Sequence, residues 1–205
     1  MSQENAQSGM GFAFSDHARI TMKASAGILT DRQMELVIRS NYSQDIAHQQ
    51  DSKVHFDNCC FEEGAAYVME EWHNIETEMD PYSDNALITF GRLLHTVQDF
   101  YSHSNWVELN QFVNPIPIWD LNVNSLPAGI VSGTWAIGTP KRCSDQAPTH
   151  RQLNKDDLNS EEGKKIVASG PNQGKPLFSL AQDAAIRATL EQFKRLQNIN
   201  KIQRS

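Results

Sequence analysis

Apolar residues recur at helical spacing in five separate stretches of the chain, with polar or proline-containing breaks between them. From near Ser15, the segment SDHARITMKASAGIL aligns Ile20, Ala24 and Ile28 on one stripe, which predicts a first helix with His17 in its opening turn. Thr30 and Gln33 have the T-x-x-Q spacing of a capping box, where each side chain satisfies the other's backbone N–H. Met34, Leu36, Val37 and Ile38 follow, so a second helix is expected from about Asp31 past Asn41, with Asp45 near its end. The polar run HQQDSK leads into HFDN. There Asn58 can cap a third helix carrying Phe61, Ala65, Val68, Met69 and Trp72, leaving His55 just outside it. Asp80 and Pro81 break the pattern, and Ser83 or Asp84 restarts it as a long fourth helix. The last stretch, LFSLAQDAAIRATLEQFKRL, aligns Leu180, Ala184, Ile186, Leu190, Phe193 and Leu196.

Residues 111–176 hold seven of the eight prolines and six of the eleven glycines, so helical structure should lapse there. The stretch GIVSGTWAIG leaves room for a short hairpin. The expected organisation is a polar leader over 1–14, then a single all-α domain over 15–205 in which 111–176 forms an irregular cap.

The fourth helix carries the chemistry. His95, Asp99 and His103 are four residues apart, and four residues advance an α-helix by about 400°, so the three side chains share one stripe. Two imidazoles and a carboxylate suit zinc. A solvated helix face can show the same spacing, and one helix cannot surround an ion. Further donors must therefore come from other elements, and His17, Asp45 and His55 each lie beside a predicted helix end. Taken singly they read as a helix-start residue, a turn former and a loop imidazole. His48 and His73 sit among polar neighbours and are expected at the surface. Asn105 is placed to support the stripe, Trp106 to pack, and Glu108 to accept an imidazole N–H.

Composition narrows the function classes. At 205 residues the chain fits one domain, and a net charge of -7 argues against a broad grip on nucleic acid, which needs clustered Lys and Arg. Mean hydropathy is -0.53, and no apolar run approaches the ~20 residues of a membrane span. The N-terminal residues lack the apolar core of a cleavable signal. A soluble chain is expected, cytoplasmic in its producer or exported by a non-classical route. Cys59, Cys60 and Cys143 read as reduced thiols or buried small hydrophobes rather than a disulfide framework. Ile116, Ile118, Trp119 and Trp135 can face a membrane interface or fold over the core, and the core is the expected place.

The series His17, Asp45, His55-Phe56, His95-x-x-x-Asp99 and a further histidine resembles the metal ligands of bacterial zinc-dependent phospholipases C and fungal single-strand-specific zinc nucleases. The wording HTVQDFYSHSNWVEL, with N-Y-S-Q-D, HFDN, Cys143 and LNKD, is similar to the HET-C heterokaryon-incompatibility family, over about His17 to Leu196. That resemblance implies a phospholipase C-like helical fold holding two or three zinc ions. His55, His95 and Asp99 would hold one, and Asp99 would bridge to a second held partly by His17. His103 and His150 would serve a third, and Asp45 would be the general base. It further implies phosphodiester hydrolysis, of a membrane phospholipid, in a toxin-like role that damages membranes. The alternatives are a non-catalytic HET-C-type module that assembles on membranes or with protein partners, itself included, around structural zinc, and a zinc-dependent nuclease.

Overall fold

The computed structural model of the protein describes residues 14–25, 27–135, 143, 144 and 146–203. Its helices are α1 (Phe14–Ser25), α2 (Asp31–Ala47), α3 (Ser52–His55), α4 (Phe61–Glu76), α5 (Asp84–His103), α6 (Trp106–Asn110), α7 (His150–Leu153) and α8 (Leu177–Gln203). The architecture is all-α, and among the described residues strand pairing is limited to isolated bridges. No described helix is long and apolar enough to cross a membrane.

Two of the helix starts follow from their capping residues. The Thr30 hydroxyl accepts from the Gln33 N–H while the Gln33 side chain accepts from the Thr30 N–H, and Ser83 accepts from the Ala86 N–H to open α5. Asn58 does not cap α4. Its backbone is left-handed, and its side chain is engaged with Ser52 and the Trp135 N–H, so α4 begins at Phe61 with no side-chain cap.

The long helix α5 is the centre of the fold and packs against α2, α4 and α8. Every residue from 93 to 103 is buried. The stripe His95, Asp99, His103 therefore lies inside the protein, not on a solvated face. Around it the apolar side chains of α5 build the core. Phe90 meets Trp72 and Phe193 edge-on, and Phe100 stacks on Trp119 at 4.6 Å while touching Phe56 and Trp106. Each such ring contributes roughly 1.5–3 kcal/mol by leaving water, which offsets the cost of desolvating the polar stripe beside it.

Residues 111–176 are largely irregular, as the prolines and glycines predict. The expected hairpin is not formed over its described part. Instead Ser132 bridges to Ser104 and Thr134 to Thr149, while residues 136–138 lie outside the described residues, as do residues 1–13 of the expected leader. Ile116 and Trp119 are buried in the core, and Ile118 and Trp135 are partly buried. One cysteine expectation is corrected: Cys59 and Cys143 form a disulfide, their Cα atoms 5.5 Å apart. The pairing joins residues 84 apart, and sequence spacing alone does not reveal which distant thiols a fold brings together.

Gly91 sets the depth at which α5 crosses α2. A Cβ there would come within 2.4 Å of the Val37 carbonyl oxygen and 2.8 Å of the Ser40 Cβ. Gly91→Ala should lower unfolding stability by about 1–3 kcal/mol through overpacking. Chemical denaturation measures it, and an unchanged midpoint would mean that the two helices are not locked at this crossing.

Candidate metal centre

Four helices bring five of the sequence-predicted residues to one point. His17 comes from the first turn of α1, Asp45 from the last turn of α2, His55 from the end of α3, and His95 and Asp99 from α5. None is more than 4% exposed. Asp99 is central. Its Oδ1 lies 3.2 Å from His17 Nε2, and its Oδ2 lies 2.8 Å from His55 Nδ1 and 3.0 Å from His95 Nε2. Asp45 Oδ1 is 3.6 Å from His95 Nε2, and the His17 and His95 rings stack at 4.5 Å.

The remaining ring nitrogens explain the orientation. His17 Nδ1 is 2.6 Å from Gln98 Oε1, His95 Nδ1 is 3.3 Å from Asn41 Oδ1, and His55 Nε2 is 3.1 Å from the His48 carbonyl. All three partners are oxygens that accept, so these nitrogens donate and the opposite ones turn toward the carboxylates. Ligand histidines are commonly fixed in this way. Gln98 is itself held by donating to Thr21 on α1 and Thr189 on α8, and it also accepts from Asn41. Sequence reasoning missed Asn41 and Gln98. Their signal was present: Asn41 stands four residues before Asp45, and Gln98 is a neutral polar residue beside Asp99 in the buried helix.

A second cluster lies farther along α5. His103 meets His150, whose ring centroid is 4.5 Å away. Asp57, which sequence reasoning overlooked in HFDN, accepts from His150 Nδ1 at 3.0 Å. Asp156 places Oδ1 3.3 Å from His103 Nε2 and Oδ2 3.8 Å from His150 Nε2. Phe56, Asn58 and Cys59 all have positive φ, near 55°, a conformation costing of order 1–2 kcal/mol for Phe56 and Cys59 and less for Asn58. That reversal sends His55 and Asp57 to different clusters, and the Phe56 ring, wholly buried against Phe100 and Trp119, offsets part of the cost. His150 arrives over Gly133, where a Cβ would meet the His150 Cα at 2.6 Å.

Other expected roles differ. Glu108 pairs with the buried Lys155 ammonium at 2.9 Å and not with an imidazole. Trp106 packs as expected, its N–H on the Pro117 carbonyl, while Asn105 binds the backbone of Gly129 and Val131. His48 and His73 are exposed.

Three groupings of these donors are compact enough to hold a metal ion: His17, Asp45 and His95; His55, His95 and Asp99; and Asp57, His103 and His150. The polar atoms fit that use. Both oxygens of Asp45, Oδ1 of Asp99 and the Nε2 atoms of His103 and His150 are buried without a hydrogen bond. A carboxylate in that state is costly, and a divalent cation among neutral imidazoles removes the cost. The residues that follow Asp45 in the chain, 46–51, line a cavity of about 530 Å³.

In the absence of an ion the carboxylates raise the pKa of His17 and His150, whereas burial holds that of His95 down. Burial opposes the charge on His17, but the adjacent carboxylate of Asp99 and the charge of Asp45 outweigh it and raise the pKa to about 9. Burial likewise opposes charge on His150, yet Asp57 and Asp156 lift it to about 9. Asp99 stays well below the usual carboxylate range despite burial, because His95, His103, His17 and His55 surround it.

An all-α protein with a buried, histidine- and aspartate-rich candidate metal centre is the class defined so far. The chain belongs to the VWA7 N-terminal domain family, whose pattern matches residues 16–126, more than half of its length. This overturns the HET-C resemblance. With it go the phospholipase C and membrane-damage readings, which rested on that resemblance alone. No curated protein and no solved structure gives a significant match.

A pH dependence follows from the raised histidines. His17 and His150 keep their protons in the folded chain up to about pH 9, whereas the unfolded chain loses them near 6.5. Their contribution to stability is complete below pH 6.5 and is lost as pH rises through 9. The Tm of chelator-treated protein should fall across that window. With zinc present the trend should reverse, because the ion competes with those protons. Melting curves with and without chelator check this, and parallel curves would remove these histidines from the metal centre.

Proposed function

We propose that this domain is a zinc-binding helical module in which the metal centre holds α1, α2, α3 and α5 together and so rigidifies the surface the domain offers to a protein partner. One observation carries the reading. Each histidine of the main cluster spends one ring nitrogen on a fixed acceptor and turns the other toward buried carboxylates. Mixed imidazole and carboxylate donors favour zinc over harder cations. Asp99 offers one oxygen to the side of His17 and the other to the side of His55 and His95. A bridging role for it accounts for both, with Asp45 completing the His17 side. Donors drawn wholly from protein and buried to this depth suit a structural site.

A second reading, metal-assisted hydrolysis, is favoured by the cavity lined by residues 46–51, which follow Asp45 in the chain. In that reading zinc would acidify a bound water and polarise the scissile group, and Asp45 would orient the water instead of binding metal. The Cys59–Cys143 disulfide also supports an oxidising compartment as the place of work.

Elemental analysis of protein purified without added metal should find two or three zinc ions per chain, and fewer in His95→Ala. Chelation should lower Tm by about 5–10 °C for each ion removed, as expected when each contributes about 2.7 kcal/mol at a hundredfold excess over Kd. No zinc after reconstitution overturns the proposal. Asp45→Asn separates the two readings: loss of one zinc supports the structural role, whereas retained zinc with loss of phosphodiester turnover supports the hydrolytic one.

A further inference from the structure

The cluster around His103 can be grouped in two ways, and the proton positions decide between them. His103 Nδ1 is 2.9 Å from the His55 carbonyl oxygen. A carbonyl only accepts, so that nitrogen carries a proton, and the neutral, ion-binding form of the ring has its lone pair on Nε2. His150 Nδ1 faces both oxygens of Asp57, at 3.0 and 3.2 Å, and donates to them in the same way. Both lone pairs therefore sit on Nε2. Neither of these buried atoms has a hydrogen bond, and both face Asp156.

Asp156 is held for this task. Its Oδ1 accepts from the Ser102 hydroxyl, one residue before His103 on α5, and the Ser102 hydroxyl and carbonyl also accept from the Lys155 N–H. The carboxylate is thereby aligned on the helix that supplies His103. If the two rings were both charged instead, two cations would face each other with centroids 4.5 Å apart in a water-excluded site. One divalent ion between neutral rings replaces that repulsion with two bonds.

We propose that His103 Nε2, His150 Nε2 and the Asp156 carboxylate form a second zinc site, separate from the Asp99 centre, with Asp57 outside it as the residue that orients the His150 ring. The inference rests on the reading that this domain takes up zinc. It assigns Asp156 as a ligand and moves Asp57 from ligand to positioning residue. An ion among Asp57 and the Nδ1 atoms would strip the proton from His103 Nδ1 and leave the His55 carbonyl without its donor. Asp57 and His103 lie within the family-matched span, while His150 and Asp156 come from beyond it. The irregular segment after residue 126 thus supplies two of the three ligands.

The test uses the full chain with zinc as the probe. At saturating zinc, Asp156→Asn should hold one ion fewer than wild type. Asp57→Asn should hold the full complement but bind the last ion roughly 10–100-fold more weakly, as expected when an orienting partner is removed. Full occupancy in Asp156→Asn, or a missing ion in Asp57→Asn at saturation, overturns the assignment. Because either variant can misfold, the zinc-loaded wild type is also read directly by long-range proton–nitrogen NMR. His103 and His150 must both coordinate through Nε2, and coordination by either Nδ1 overturns the proposal. A wild type that binds no zinc refutes the underlying function reading, whereas zinc bound with the wrong tautomers refutes only this site.

Discussion

The structure depends on keeping the charge of one wholly buried carboxylate, Asp99, in the last two turns of the central helix α5. Desolvation alone would drive that group neutral. It stays charged because imidazoles from α1, α3 and α5 converge on its two oxygens. That requirement fixes more than the site. α1 must begin at a particular rotation to present His17, α2 must end where Asp45 reaches His95, and the chain must take the strained turn after His55. Gly91 lets α2 approach closely enough for Asn41 to reach the His95 ring.

The polar interior and the aromatic core share α5. Along this helix one side is filled by Phe90, Phe100 and Tyr101 and the other by the histidines and Asp99. The apolar burial offsets the desolvation of the polar stripe, and the stripe in turn specifies the register at which the helices pack. Hydrophobic contacts alone tolerate sliding and rotation. Hydrogen bonds such as Gln98 to Thr21 and Thr189 do not, since a shift of one residue would leave each of those buried groups unsatisfied.

The family assignment and the ligand geometry teach separate lessons. An H-x-x-x-D-x-x-x-H stripe follows from helical geometry wherever three donors must face one point, so it marks a kind of site and not a lineage. The resemblance to HET-C was read from that stripe and its neighbours. It named residues that the fold brings together and the wrong relatives, and the lipid substrate inferred from it had no footing in the residues themselves.

What the amino-acid order determined by itself is the set of local elements: the capping box at Thr30, the start at Ser83, the apolar faces, and the irregular stretch rich in proline and glycine. These depend on contacts within a few residues, and they carried the convergence of His17, Asp45 and His55 on the stripe as a testable expectation. The tertiary structure alone decided what depends on distant groups meeting. It decided that the stripe is buried, that Cys59 joins Cys143, that Glu108 serves Lys155, and that Asn58 braces Trp135 in place of capping a helix. It also placed Asp57 and Asp156 on either side of His150. Each of these is a choice among partners of similar chemistry, and only the packed chain determines which partner is within reach.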